Sequence, residues 1–135
     1  MKFYGREVNQ LARLFTKTLN QSLSPSGLYS SQWAIILRLY EDGPMTQIGL
    51  SHYLAVEAPT ITRTLLRLEE MGLIIREDGK DRRERLVRLA PRALEMIPIC
   101  IEQSEEPEKL ALHGVTKTEL EQFNYVLQKM IKNLQ

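Results

Sequence analysis

The sequence predicts a mainly α fold, α+β by strict count, with one small hairpin set among six helices. Three observations carry this reading. Apolar residues recur at three- and four-residue steps over most of the chain, the period of one helical face. Two short runs at 73–77 and 85–89 are rich in leucine, isoleucine and valine and read as strands, with Asp78-Gly79 supplying turn chemistry between them. Hydrophobic residues make up 43% of 135 residues, enough for a packed core in one compact domain spanning 1–135.

The first helix is expected over 3–23, where Tyr4, Val8, Leu11, Phe15, Leu19 and Leu23 share a face. Ser24-Pro25-Ser26-Gly27 breaks it. A second helix runs to about Tyr40, capped by Ser30 or Ser31, with Trp33, Ile36, Leu37 and Tyr40 as its stripe. After a turn at 41–44, Thr46 is a good N-cap for a short third helix ending near Leu54, with Ile48, Leu50 and Leu54 inward. A linker of about three residues leads to Pro59, which suits the first turn of a fourth helix because its missing N–H would be unpaired there anyway. Ile61, Leu65 and Leu68 put one face of that helix inward, and Gly72 can close it in the left-handed conformation.

From Pro91 the chain is helical again to about Leu112. Thr116 and Glu119 then form a capping box, in which each side chain satisfies the other's exposed backbone N–H. It opens a last helix whose seam holds Leu120, Phe123, Leu127, Met130 or Ile131, and Leu134. Helices two to four plus the hairpin make a winged helix-turn-helix lobe over 30–90. Such a lobe buries its own apolar surface within about 70 residues. The stripes of 1–23 and 91–135 therefore need another partner, and a second copy of the chain is the simplest.

Charge points to the same lobe. Net charge is only +1. Yet Arg76 to Arg92 hold seven cations against four anions, a local net of +3 that leaves −2 for the rest. A basic patch on a nearly neutral body is a footprint for phosphate contact. On the fourth helix Thr60, Arg63, Thr64 and Arg67 lie on or near the face opposite the core. Thr60 and Thr62 can hydrogen-bond a phosphate or a base edge. Arg63 can donate two parallel hydrogen bonds to guanine, a contact giving ~1–3 kcal/mol of discrimination, and Pro59 can touch a thymine methyl. At the hairpin, Lys80, Asp81, Arg82, Arg83 and Arg85 form a charged finger. Asp81 beside two guanidiniums can hold one in a fixed pose for a narrow minor groove. The bland readings are a surface helix with scattered charges and a solvated turn with an incidental ion pair. Helix and finger together favour double-stranded DNA.

Other residues argue against other chemistry. No nucleophile–base pair, metal spacing or phosphate loop is seen, so no enzymatic activity, metal or cofactor is expected. His52 and His113 lack metal spacing with each other or with Cys100. Cys100, the one cysteine, lies amid Ile97, Ile99 and Ile101 without a basic neighbour and reads as a buried thiol; a redox-responsive role is the alternative. The acidic run Glu102, Glu105, Glu106 and Glu108 reads as a solvated helix face. No apolar run approaches the ~20 residues of a membrane span, and the N-terminus shows no signal-peptide pattern, so a cytoplasmic setting is expected.

Three pieces of the chain, taken in order, resemble the MarR family of bacterial and archaeal regulators. They are Pro59-Thr60-Ile61-Thr62-Arg63-Thr64-Leu65, then Leu68-Glu69-Glu70-Met71-Gly72-Leu73-Ile74, then Asp81-Arg82-Arg83. The first piece is closest to the SlyA-like branch. The resemblance implies a triangular homodimer whose terminal helices interlock and whose two lobes read a palindrome. It places Pro59, Thr60 and Arg63 against bases, and Arg83 in the minor groove with Asp81 steadying it. It implies a transcription regulator, most often a repressor, whose recognition helices enter major grooves ~34–36 Å apart. The family often binds small aromatic or phenolic effectors near Tyr29, Trp33, Tyr40 and Tyr53; core packing is the preferred role for each of these here. Two departures stand out. Ala90 replaces the usual Ser or Thr cap, and Pro98 and Pro107 sit within a helix the family keeps continuous, where each removes a backbone hydrogen bond. A winged helix used only for protein docking is the reading from another class.

Overall fold

The computed structural model describes residues 1–78 and 84–135. Six helices and a three-stranded sheet follow one another as α1 (Tyr4–Leu23), α2 (Ser30–Asp42), β1 (Met45–Thr46), α3 (Gln47–Leu54), α4 (Ala58–Glu70), β2 (Ile74–Glu77), β3 (Leu86–Leu89), α5 (Pro91–Ala111) and α6 (Lys117–Leu134). The predicted mainly α class and the hairpin both hold. No helix is long and apolar enough to cross a membrane among the described residues.

The helix ends follow local chemistry. A 3-10 turn over Ser24–Ser26 and a left-handed Gly27 separate α1 from α2. The serine caps expected for α2 are not used. Ser30 and Ser31 lie inside the helix; the Tyr29 N–H donates to Gln32 Oε1 at 2.9 Å and the Ser30 N–H to Asn20 Oδ1 at 2.7 Å. Side chains from the next turn and from α1 thus satisfy the free donors that a serine hydroxyl was expected to reach. Thr46 caps α3 as predicted, accepting the Gly49 N–H at 3.0 Å. Three residues join α3 to α4, and Ala55 takes a left-handed conformation (φ 53°) to make the turn tight. At the end of α4 the Leu73 N–H returns to the Leu68 carbonyl and the Gly72 N–H to that of Glu69, with Gly72 at φ 75°. That is the double closure a left-handed glycine permits. Thr116 and Glu119 exchange their hydrogen bonds at 3.0 and 3.1 Å.

The sheet runs in the order β1-β3-β2, antiparallel throughout, with Ile74 opposite Leu89 and Met45 opposite Val87. Strand β1 was not foreseen. Two residues carry no periodicity, and only their pairing with β3 makes them a strand.

The core is one continuous cluster. It joins Trp33, Ile36 and Leu39 of α2, Leu50 of α3, Ile61, Leu65 and Leu68 of α4 and Val87 of β3. It also takes in Leu23 at the end of α1 and Ala93, Ile97 and Cys100 of α5. The terminal helices are therefore not wholly free arms: α1 and α5 each root one end in the lobe. Much of the stripe on α1 and α6 stays outside. Tyr4, Val8 and Leu11 of α1, and Leu120, Phe123, Met130, Ile131 and Leu134 of α6, are all exposed. Ile48, expected inward, is exposed as well.

Helix α5 continues through both prolines. Pro98 is exposed and Pro107 buried, and each leaves the carbonyl four residues before it without its helical N–H. Ala90 begins α5 without a side-chain bond, and Pro91 supplies the first turn.

Candidate nucleic-acid interface

Helix α4 presents two different faces because its apolar residues gather on one side. Ile61, Leu65 and Leu68 are buried, while Pro59, Thr60, Arg63 and Arg67 are exposed. Arg63 Nη2 donates to Thr60 Oγ1 at 3.3 Å, a long bond that leaves most of the guanidinium open to solvent. The Thr64 hydroxyl folds back onto the Thr60 carbonyl at 2.9 Å. Arg67 leans on Glu70 at 3.4 Å, an exposed pair of little energetic weight.

Thr62 departs from the expected role. It is half-buried on the flank of α4, where its hydroxyl donates to the Ala58 carbonyl at 3.0 Å and accepts from Gln47 Nε2 at 3.3 Å. It joins α4 to α3 and does not share the outward face of Thr60 and Arg63.

The basic patch is also redistributed. Arg76 pairs with Glu69 at 3.1 Å, Arg85 with Asp78 at 3.1 Å and Arg88 with Glu77 at 2.6 Å, while Arg92 donates to the Met71 carbonyl. Every arginine of the patch within the described residues thus has a partner inside the protein. Lys80, Asp81, Arg82 and Arg83 lie outside the described residues. Arg85, expected on the DNA side, is half-buried beside Asp78 and borders a cleft of about 550 Å³ with Gln47, Ser51, His52 and Arg76.

The sequence reading overlooked Gln47 and the bonds that join it to Arg76 and Glu69. The side chain of Arg76 is 9% exposed. Its Nε and Nη2 meet both oxygens of Glu69 at 3.3 and 3.1 Å, and its Nη1 meets Gln47 Oε1 at 3.3 Å. The guanidinium holds the Glu69 carboxyl below its ordinary value of 4.5, against a smaller opposing push from burial. No local pattern couples positions 47 and 76.

The four aromatics divide. Trp33 is core, as preferred. Tyr29, Tyr40 and Tyr53 are exposed, so core packing fails for all three. Tyr53 lies under the Arg38 guanidinium, 3.4 Å from ring centroid to Arg38 Cζ, and Arg38 pairs in turn with Asp42 at 2.6 Å. Cys100 is fully buried, and burial pushes its thiol up, with a weaker opposing contact from Ser26. His52 and His113 are exposed, and among the described residues no cluster could hold a metal ion.

A helix with an open arginine-threonine face, set after a three-residue turn and before a β-hairpin, defines a winged helix-turn-helix protein. Residues 28–84 match the profile of the MarR family, so this part of the chain is similar to that family. The chain is 53% identical over 87 residues to YwoH, an uncharacterized HTH-type transcriptional regulator of Bacillus subtilis (strain 168). That match spans 64% of this chain and 64% of YwoH, just under two thirds of the relative's length. Among solved structures, it is similar to a MarR family transcriptional regulator from Listeria monocytogenes complexed with a 26mer DNA. The TM-score is 0.90 at 25% identity, over 99% of this chain and 90% of that one. A MarR transcriptional regulator from Methanosarcina mazei Go1 superimposes with a TM-score of 0.87 at 25% identity, over 98% and 96%. At 23% identity a mutant MarR from E. coli complexed with operator DNA shares the fold, with a TM-score of 0.83 over 93% and 91%.

Proposed function

We propose that this chain is a sequence-directed DNA-binding regulator of transcription that works as a homodimer in the cytoplasm, not an enzyme. The single observation that carries this reading is Arg63. It stands exposed on α4 beside Thr60 and Pro59, with one long bond among the described residues to limit it. A guanidinium so placed can offer its paired donors to a guanine edge in the major groove. Lys80, Arg82 and Arg83 would bring charge to the neighbouring backbone or minor groove, with Asp81 orienting the arginines. The similar Listeria monocytogenes regulator, complexed with a 26mer DNA, supports DNA binding. Within the family, the Pro59-to-Leu65 motif favours the SlyA-like branch.

Residues 1–23 and 91–135 act as dimerisation helices, and 30–90 as the DNA-reading lobe. The apolar residues exposed on α1 and α6 support this, since stripes of that size are normally covered. Two lobes then read a pseudo-palindromic operator, and binding represses by occupying it. A small aromatic or phenolic effector releases the dimer by favouring a lobe spacing that no longer fits the DNA. This requires unequal affinity for the two spacings. Tyr29, Tyr40 and Tyr53 are open to such a ligand, whereas Trp33 is enclosed.

The test is selection of bound sequences from random duplexes, with and without aromatic acids. Enrichment of a palindrome, lost when a ligand is added, is expected. Failure to enrich any motif overturns sequence-directed binding. A docking-only module would instead bind its partner undisturbed by polyanions. A redox role through Cys100 would require DNA affinity to respond to peroxide and lose that response in Cys100→Ser, an outcome that burial of the thiol opposes.

A further inference from the structure

The geometry points to Gln47 and Arg76 as a strut that sets the angle between recognition helix and hairpin, making them positioning residues for the two-groove grip. This rests on the DNA-binding reading above and adds a part that no base or phosphate contact describes.

Gln47 stands at the first turn of α3 and reaches every other element of the reading surface. Its N–H donates to the Arg85 carbonyl at 3.1 Å, just before β3. Its Nε2 donates to Thr62 of α4, and its Oε1 accepts from Arg76 of β2. Arg76 continues the chain of bonds to Glu69 near the far end of α4, with a fork-on-fork contact. Helix α4 is thus tied at two points to one nearly enclosed guanidinium on the hairpin, at Thr62 by way of Gln47 and at Glu69 directly.

Stability alone does not call for this arrangement. Even for a fully buried ion pair an apolar replacement of similar volume is often neutral or stabilising, and here Glu69 is exposed, so the pair adds less still. What a planar, bidentate guanidinium adds is direction. It fixes one orientation of strand against helix, where an apolar contact would allow several. A finger and a helix that must meet the same duplex together need that fixed angle, because errors of about an ångström forfeit one contact or the other.

The experiment uses the full chain with spin labels at Glu70→Cys and Glu84→Cys, diluted with unlabelled chain so that distances within one protomer dominate. Cys100, being buried, takes no label. One narrow distance distribution is expected for the parent. A broadened one is expected for Gln47→Ala and for Arg76→Met, the latter keeping side-chain bulk; Arg76→Lys, a point charge without the fork, should stay broad. Unchanged widths overturn the strut whatever the DNA does.

The same variants are then titrated with the selected duplex. Each should bind roughly tenfold more weakly than the parent, with a shallower salt dependence, and should lose nothing further in an Arg83→Ala background. An equal loss with and without Arg83 overturns the proposal, because the strut would then not act through the finger. A parent that ignores DNA sinks the functional reading instead, while the distance widths still decide the strut.

Discussion

In the proposed function Arg63 and Arg83 take different parts of recognition, and their removal should read differently. Arg63→Ala should weaken the selected operator by about 1–3 kcal/mol and leave random DNA nearly unaffected, since base discrimination is lost and phosphate contact is kept. Competitive gel shifts with both duplexes check this; equal losses would remove Arg63 from base reading. Arg83→Ala should flatten the plot of log affinity against log salt by about one unit, because one phosphate-side cation is gone. An unchanged slope would take the hairpin off the DNA. Glu69 gives a pH prediction. Arg76 depresses its folded-state value, so the pair contributes stability above the unfolded value near 4.5 and loses it as pH falls through the depressed folded value. Glu69→Gln should therefore flatten the acid limb of thermal stability below about pH 4.5 and leave Arg76 without its carboxylate at neutral pH. The effect is tempered by solvent, as the Glu69 side chain is 42% exposed. Melting curves taken from acid to neutral pH, measured on both proteins, decide it.

Helix boundaries were legible wherever a residue's own side chain or conformation does the capping. Thr46, Gly72 and the Thr116–Glu119 box all fall where expected. Thr116→Ala should cost about 1 kcal/mol, read as a lower midpoint in thermal unfolding. No change would mean that α6 is held entirely by its partner and not by its own first turn. The cap of α2 was not legible, because Asn20 reaches it from α1, ten residues away. Strand β1 was missed for a related reason: a two-residue strand exists only through pairing with β3, where Met45 meets Val87 far along the chain. Ile48 shows the limit of periodicity. Its helix is eight residues long, too short for the apolar stripe to tell the core side from the cleft side.

A molecule that leaves Leu120, Phe123, Met130 and Ile131 of one helix uncovered implies a second surface to meet them. Sedimentation of the intact chain should give a dimer. Phe123→Glu should shift it toward monomer and abolish operator binding together, since two half-sites need two linked lobes. Monomer that still binds the full operator at parental affinity would break the connection between dimer and recognition. The core passes from α1 through the lobe to α5 without interruption, so the ends of α1 and α5 are packed into the same cluster as α2, α3 and α4.

The order of elements other than β1, the inward face of α4, the outward Arg63 and the burial of Cys100 were all determined by local sequence. Each depends on helical spacing, on capping chemistry or on apolar neighbours within a few residues. Tertiary structure alone decided which charges are available. Arg76, Arg85 and Arg88 look identical to Arg63 in a list of cations, yet each is matched with a carboxylate brought near by the fold. It alone turned Thr62 toward Gln47 and laid Tyr53 beneath Arg38. Such pairings join residues far apart in the chain, and distance along the chain carries no record of proximity in space.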